Sequence, residues 1–339
     1  MNHILTDTHI HMGCRTIGAG HEHNWQPLLI KDFEPSQNKM FFVFGGNTTN
    51  YPDAANGNAK IIERLLFEEK RNKSNIYSFL YEEEPISSSS LCLRHKYLKE
   101  THALFETIFK PLLCDKSVNI KEKQGIERVL NNIVFVSHCG GSMFVDIIID
   151  DIYDTLLEKY HPSIVEQLVS KIQYFSYAPH ELPTKNVNGF IITPFLDNNY
   201  AWSKVLATVK DERIYTDYPK GSTKMLLKAS SQGNVRDTFH KIFSNEQLII
   251  CRANQYIYLI PSRLNSDIVV GDHSIECLVK SKILDAGTPY ADTARIVNYA
   301  SKLVINQFAS NNCFDHKRTI DKIVEAINEC RTNNSYCKI

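Results

Sequence analysis

Short runs of β-branched and aromatic residues recur along the chain, separated by longer stretches whose apolar positions return every third or fourth residue. The runs Met40–Phe44, Asn75–Leu80, Ile133–Val136, Ile172–Tyr177, Gly189–Phe195 and Gln255–Ile260 are apolar on successive residues rather than alternating. That pattern predicts strands covered on both faces. Between the first two, Ala55–Glu69 places Ile61, Ile62, Leu65 and Leu66 at helical spacing, with Asp53 and Asn56 available as caps. Leu91, Leu98, Phe105 and Ile108 follow helix-like offsets, Pro111 predicts a break, and a second helix ends near Leu130. Phe144–Tyr160 reads as a helix with Ile147, Ile148, Ile152 and Leu156 on its apolar face, its end marked by Pro162; Asp292–Phe308 and His316–Arg331 read as two more.

Strand and helix patterns in alternation predict an α/β fold with a mainly parallel sheet flanked by helices. The stretch 198–246 is polar and turn-rich and predicts a lid or insertion within one domain spanning residues 1–339. Composition narrows the partners. Thirty-eight Lys and Arg against thirty-eight Asp and Glu leave no net charge to gather a phosphate backbone or an anionic membrane, so nucleic acid is not expected. The longest apolar runs fall far short of the roughly 20 residues that cross a bilayer, and MNHILTDTHIHMG lacks the basic and apolar regions of a secretory leader. Nine cysteines with no C-x-x-C pair suit neither a disulfide framework nor a zinc ribbon and point to a reducing, cytoplasmic setting. No phosphate-cradling glycine motif is present, and no cofactor is expected.

The most informative stretch is IVFVSHCGGSMFVDIIIDD, where an apolar strand stops at Ser137-His138-Cys139-Gly140-Gly141 and a helix begins almost at once. A nucleophile elbow needs this arrangement: its tip residue sits in a strained backbone conformation, so the positions two before and two after it are small. Ser137 and Gly141 hold those positions around Cys139. Only a thiolate attacks, so the cysteine needs a base, and the dipole of the following helix favours negative charge at the tip.

S-H-C-G-G-S resembles the G-H-S-x-G-G elbow of lipases and esterases in the α/β-hydrolase superfamily, and a cysteine tip is similar to that of dienelactone hydrolases. It departs from G-x-S-x-G twice, with Ser137 for the first glycine and Cys139 for serine. The resemblance implies an α/β-hydrolase-like sheet and hydrolysis or transfer of an ester, thioester or related acyl group from a small molecule or lipid. It also implies a triad in the chain order nucleophile, acid, histidine. Asp197, closing GFIITPFLD, and His273, in the loop after QYIYLI, fit that order; Asp217, Asp267 and Asp272 compete for the acid, and His240 or His180 for the base. The oxyanion donors implied are the amide of Gly140 and one from the loop Gly45-Gly46-Asn47-Thr48 after the first predicted strand, with Gly46, Asn47 and Thr48 as candidates.

Two other classes compete. Asp7-Thr8-His9-Ile10-His11 resembles the D-x-H-x-H strand of metal-dependent amidohydrolases, TIM barrels in which His9 and His11 would share a divalent ion, completed by His138, His161 or His180 and Asp217. A hydrolase fold that has lost its activity and serves as a binding module is the third reading, because a cysteine tip also suits a silenced elbow.

Overall fold

The computed structural model describes residues 10–15, 39–46, 52–71, 74–81, 98, 101–113, 123–194, 213–214, 248–252, 254–260, 263–265, 268–270, 275–279, 289–310 and 315–332. Among the described residues nine strands form one sheet: β1 (Ile10–Arg15), β2 (Lys39–Phe44), β3 (Ser74–Tyr81), β4 (Ile133–His138), β5 (Gln173–Tyr177), β6 (Asn188–Pro194), β7 (Arg213–Ile214), β8 (Leu248–Arg252) and β9 (Gln255–Ile260), in the order β1-β3-β2-β4-β5-β6-β9-β8-β7. Six of them, from β3 through β9, run parallel to their neighbours. β1 is antiparallel to β3 at one end, and β8 and β7 add antiparallel strands at the other. All six expected strands are present within two residues of their predicted bounds, and the α/β class with its mainly parallel sheet stands.

Helices cover both faces, as the unbroken apolar strands require. Met40, Phe42 and Phe44 point to one face with Phe79 and Phe135, beneath residues of the helices α2 (101–113), α3 (Lys123–Asn132), α4 (Gly141–Leu157) and α5 (Pro162–Val169). Phe44 stacks on Phe79 at 3.9 Å between ring centroids, and Phe42 meets Phe109 edge-on at 4.8 Å. The intervening Phe41 and Val43 point to the other face with Val134, Val136 and Phe190, against α1 (Pro52–Leu65), α6 (Pro289–Phe308) and α7 (His316–Thr332). Each such buried side chain contributes about 1.5–3 kcal/mol over its exposed state. A separate hairpin pairs β10 (Arg263–Asn265) with β11 (Ile268–Val270).

Three helix ends differ from the sequence reading, each through backbone chemistry. α1 begins at Pro52, so Asp53 lies in its first turn instead of preceding it; proline suits a first turn because its missing N–H would have no partner there. Pro162 likewise opens α5, capped by His161, whose ring accepts from the Ser163 amide at 3.4 Å; it does not merely end the helix before it. Pro111 sits inside a continuous helical stretch whose preceding turn, Phe105–Phe109, is widened to π geometry. That widening relieves the clash a proline ring makes with the turn before it.

The strand order reverses around β2. The chain passes from β2 to β3 on one side and then returns to lay β4 on the other. Crossovers of one hand then place α1 and the pair α2–α3 on opposite faces, which makes the carboxyl ends of β2 and β4 the switch point of the sheet. The sheet has two free ends among the described strands, unlike the closed barrel that the metal-dependent reading requires. The stretch 198–246 lies outside the described residues apart from Arg213–Ile214, which is β7. Among the described residues no helix is long and apolar enough to cross a membrane.

Asn306 of α6 ties the far ends of the chain together. Its side-chain amide donates to the Leu65 carbonyl at 2.8 Å, and its oxygen accepts from the Phe67 amide at 2.7 Å, satisfying the end of α1. Asn306→Ala leaves both groups unpaired in a largely buried position and is expected to lower the unfolding free energy by about 1–3 kcal/mol. Urea unfolding reads this directly; an unchanged midpoint would show that water replaces the side chain without cost.

Candidate active site

β4 ends at His138, and the next residue, Cys139, takes φ 54°, in the left-handed region that side chains other than glycine rarely adopt. Gly140 returns to helical angles, φ −60° and ψ −20°, and α4 starts at Gly141. The chain thus turns from strand to helix in two residues, and the turn is tight enough to dictate its neighbours. A Cβ on Gly141 would lie 2.3 Å from the Phe44 carbonyl oxygen and 2.5 Å from that of Gly45, both backbone atoms that cannot move aside independently. Only glycine fits there.

The residue two before the tip is held differently. Ser137 is fully buried, and its hydroxyl meets those of Tyr174 and Ser176, each at 2.7 Å. A serine replaces the expected glycine because β5 offers it polar partners across the ladder. Burial pushes the Tyr174 phenol far above its usual value, so that it stays neutral in this cluster.

The connection from β5 to β6, residues 178–187, joins two adjacent parallel strands without a helix, in fewer residues than the dozen or so such crossovers usually need. Its first residue, Ala178, has φ 48°; with Cys139 it is one of two non-glycine residues of positive φ in the described chain. The connection then folds against the start of α4. The Cys139 amide donates to the Tyr177 carbonyl at 3.3 Å, and the His180 amide donates to the Cys139 carbonyl at 3.2 Å. This brings the two side chains together: Cys139 Sγ lies 3.2 Å from His180 Nε2.

Cys139 is buried, 4% exposed, while His180 is half-buried. When the imidazole carries its proton on Nδ1, Nε2 accepts the S–H; after transfer a thiolate faces an imidazolium, at the positive end of the α4 dipole. The amides of Gly140 and Gly141 head that helix, where no preceding turn supplies carbonyls. The loop after β2 borders the same spot, since a Cβ on Gly46 would lie 3.0 Å from Cys139 Cβ and 3.1 Å from His138 Nδ1. Gly46 is therefore glycine for close approach to the tip.

Of the expected site residues, Cys139, Gly140 and Gly46 converge, and His180, named in the sequence reading only as a competitor for the base, is the histidine beside the thiol. Asp197, His273, Asn47 and Thr48 lie outside the described residues, as do His240, Asp217, Asp267 and Asp272. For the metal reading, His9 is also outside them, and His11 stands on β1, with β3 and β2 between it and β4. His161 caps α5, and His138 stacks on Tyr177 at 6.2 Å between ring centroids. Among the described residues no three His, Cys, Asp or Glu side chains gather to hold a metal ion.

The sequence reading missed Ser142 and Asp146, both buried on α4. Ser142 Oγ bonds the backbone of Cys139, His180 and Glu181, and Asp146 accepts from the Thr184 amide at 2.8 Å. The signal was available: Ser142, Asp146, Asp150 and Tyr153 fall at helical spacing along α4.

The contact at Gly141 yields a direct test. Gly141→Ala forces the start of α4 away from β2 and is expected to cost about 1–3 kcal/mol or more in urea unfolding; a midpoint equal to wild type would mean that the helix start can slide without penalty. Comparison of the chain with protein families, curated proteins and solved structures finds no match, so its chemistry rests on the residues described above.

Proposed function

We propose that the protein is an α/β-hydrolase-like enzyme that hydrolyses or transfers an acyl group from an ester, thioester or related small-molecule or lipid substrate, through a covalent thioester on Cys139. One observation carries this reading: a thiol held at positive φ on a strand-to-helix turn, 3.2 Å from a histidine nitrogen. Strained backbone and a nucleophile–base contact coincide at the switch point of the sheet, where ligands of open α/β sheets bind.

In this reading His180 takes the base's part in place of His273. Its Nε2 accepts the thiol proton as Sγ bonds to the acyl carbon, and the carbonyl oxygen becomes an oxyanion held by the Gly140 amide and a donor from the loop at Gly46. Collapse of the tetrahedral intermediate breaks the bond to the leaving alcohol, thiol or amine, which takes the proton back from His180. A water, deprotonated by the same nitrogen, then attacks the thioester, the acyl carbon–Sγ bond breaks to release the acid, and the Cys139 thiolate takes the proton back from His180; an acceptor alcohol or amine in place of water completes a transfer. Asp197, three positions past the end of β6, stays the candidate to orient the imidazole. The nine cysteines suit a reducing, cytoplasmic setting.

Two outcomes test this. Cys139→Ala is expected to abolish turnover of an activated aryl ester while circular dichroism stays native, with mass spectrometry of the wild type finding the acyl group on residue 139. His180→Ala is expected to lower kcat/KM by about 10²–10⁴-fold, the usual worth of a general base. Full activity in the Cys139 variant would exclude the thiol as nucleophile. Full activity in the His180 variant, with Cys139 still required, would return the base's role to another histidine such as His273.

A further inference from the structure

We infer that Ser142 is a positioning residue that sets His180 against Cys139, an inference that rests on the Cys139–His180 chemistry proposed above. The Ser142 hydroxyl is fully buried, and its hydrogen-bonding capacity is saturated. It donates to the Cys139 carbonyl at 2.8 Å and accepts from the amides of His180 at 3.0 Å and Glu181 at 3.1 Å. One donor and two lone pairs are all a serine has. The Ser142 amide also donates to the Cys139 carbonyl, at 3.2 Å. One side chain thus joins the backbone of the residue carrying the thiol to that of the residue carrying the imidazole.

The rest of the connection explains why this matters to the dyad more than to the fold. Residues 178–187 have no ladder or helix of their own, and their lower half is held separately. Thr184 is bonded through its amide to Asp146 and through its hydroxyl to Asp150, and Gln255 donates to the carbonyls of Pro183 and Lys185. Removing the Ser142 hydroxyl leaves those ties in place and frees the backbone only around residues 180 and 181. His180 keeps its amide bond to the Cys139 carbonyl, but the Glu181 amide loses the acceptor described for it. A displacement of about 1 Å between reacting groups is enough to cost roughly a hundredfold in rate.

The test is the rate of iodoacetamide alkylation of Cys139 in the full chain, resolved from the other eight cysteines by mass spectrometry, at pH 7 and at pH 10. At pH 10 a thiol ionises without help, so the ratio of the two rates reports the imidazole's assistance rather than access. Wild type is expected to retain a substantial fraction of its alkaline rate at pH 7, and His180→Ala to lose it. Ser142→Ala is expected to lower the ratio by roughly tenfold or more, with Ser142→Thr, which keeps the hydroxyl, restoring it. A wild-type ratio in Ser142→Ala overturns the positioning role and leaves the Cys139–His180 reading intact. A wild-type protein as unreactive at pH 7 as His180→Ala overturns both. Should Ser142→Ala fail to fold, amide hydrogen exchange of the wild type decides: slow exchange at His180 and Glu181 supports the bonds to Ser142, and exchange at the rate of exposed amides overturns them.

Discussion

The structure around the candidate site depends on one carbonyl group. Holding Cys139 at φ 54° costs on the order of 1–3 kcal/mol, and such a conformation persists only where its surroundings over-determine it. Here the Cys139 carbonyl accepts from three donors, the amide and hydroxyl of Ser142 and the amide of His180, while the Cys139 amide donates to the end of β5. The turn is therefore held from the helix that follows it and from the neighbouring strand's exit at once. Relax it, and α4 no longer starts against Phe44, the β5–β6 connection loses its anchor, and the thiol leaves the imidazole.

That arrangement explains how so short a connection between β5 and β6 is tolerated. A crossover between adjacent parallel strands ordinarily uses a helix to satisfy its own backbone. Residues 178–187 instead borrow partners from α4, whose polar stripe meets them in order: Ser142 at His180 and Glu181, Asp146 and Asp150 at Thr184, and Tyr153 beneath the Lys185 ammonium at 4.4 Å from the ring centroid. α4 thus has two working sides. Ile147, Ile148, Ile152 and Leu156 close the core, and the polar side builds a site wall from a segment with no regular structure.

This division also marks what could be read from residues alone. The six parallel strands were legible because burial on both faces leaves continuous apolar runs, and the tight strand-to-helix turn was legible from Gly141, where a side chain would meet the backbone of β2. The antiparallel strands β1, β7 and β8 were not: β7 has only two residues, and β1 and β7 pair with strands distant in sequence. Pro111 and Pro162 misled for the same reason: proline signals a local conflict, and whether the chain breaks, widens to a π-turn or starts a new helix is decided by packing around it.

Which histidine lies beside the thiol was the harder matter, and the reason is topological. The chain order implied by the hydrolase resemblance favours a histidine after the last strand, and so His273, which lies outside the described residues, whereas distance in the fold follows strand adjacency. β5 lies beside β4, so whatever leaves its carboxyl end is delivered to the tip at Cys139. Ala178 at φ 48° turns the chain there, and two residues later the His180 imidazole reaches the thiol. Any residue at position 180 would pass beside Cys139, because the backbone bond between them does not depend on the side chain. The identity of that residue as histidine is what turns a structural contact into a chemical one, and it makes the thiol's reactivity, more than its burial, the property that separates an enzyme from a silent fold.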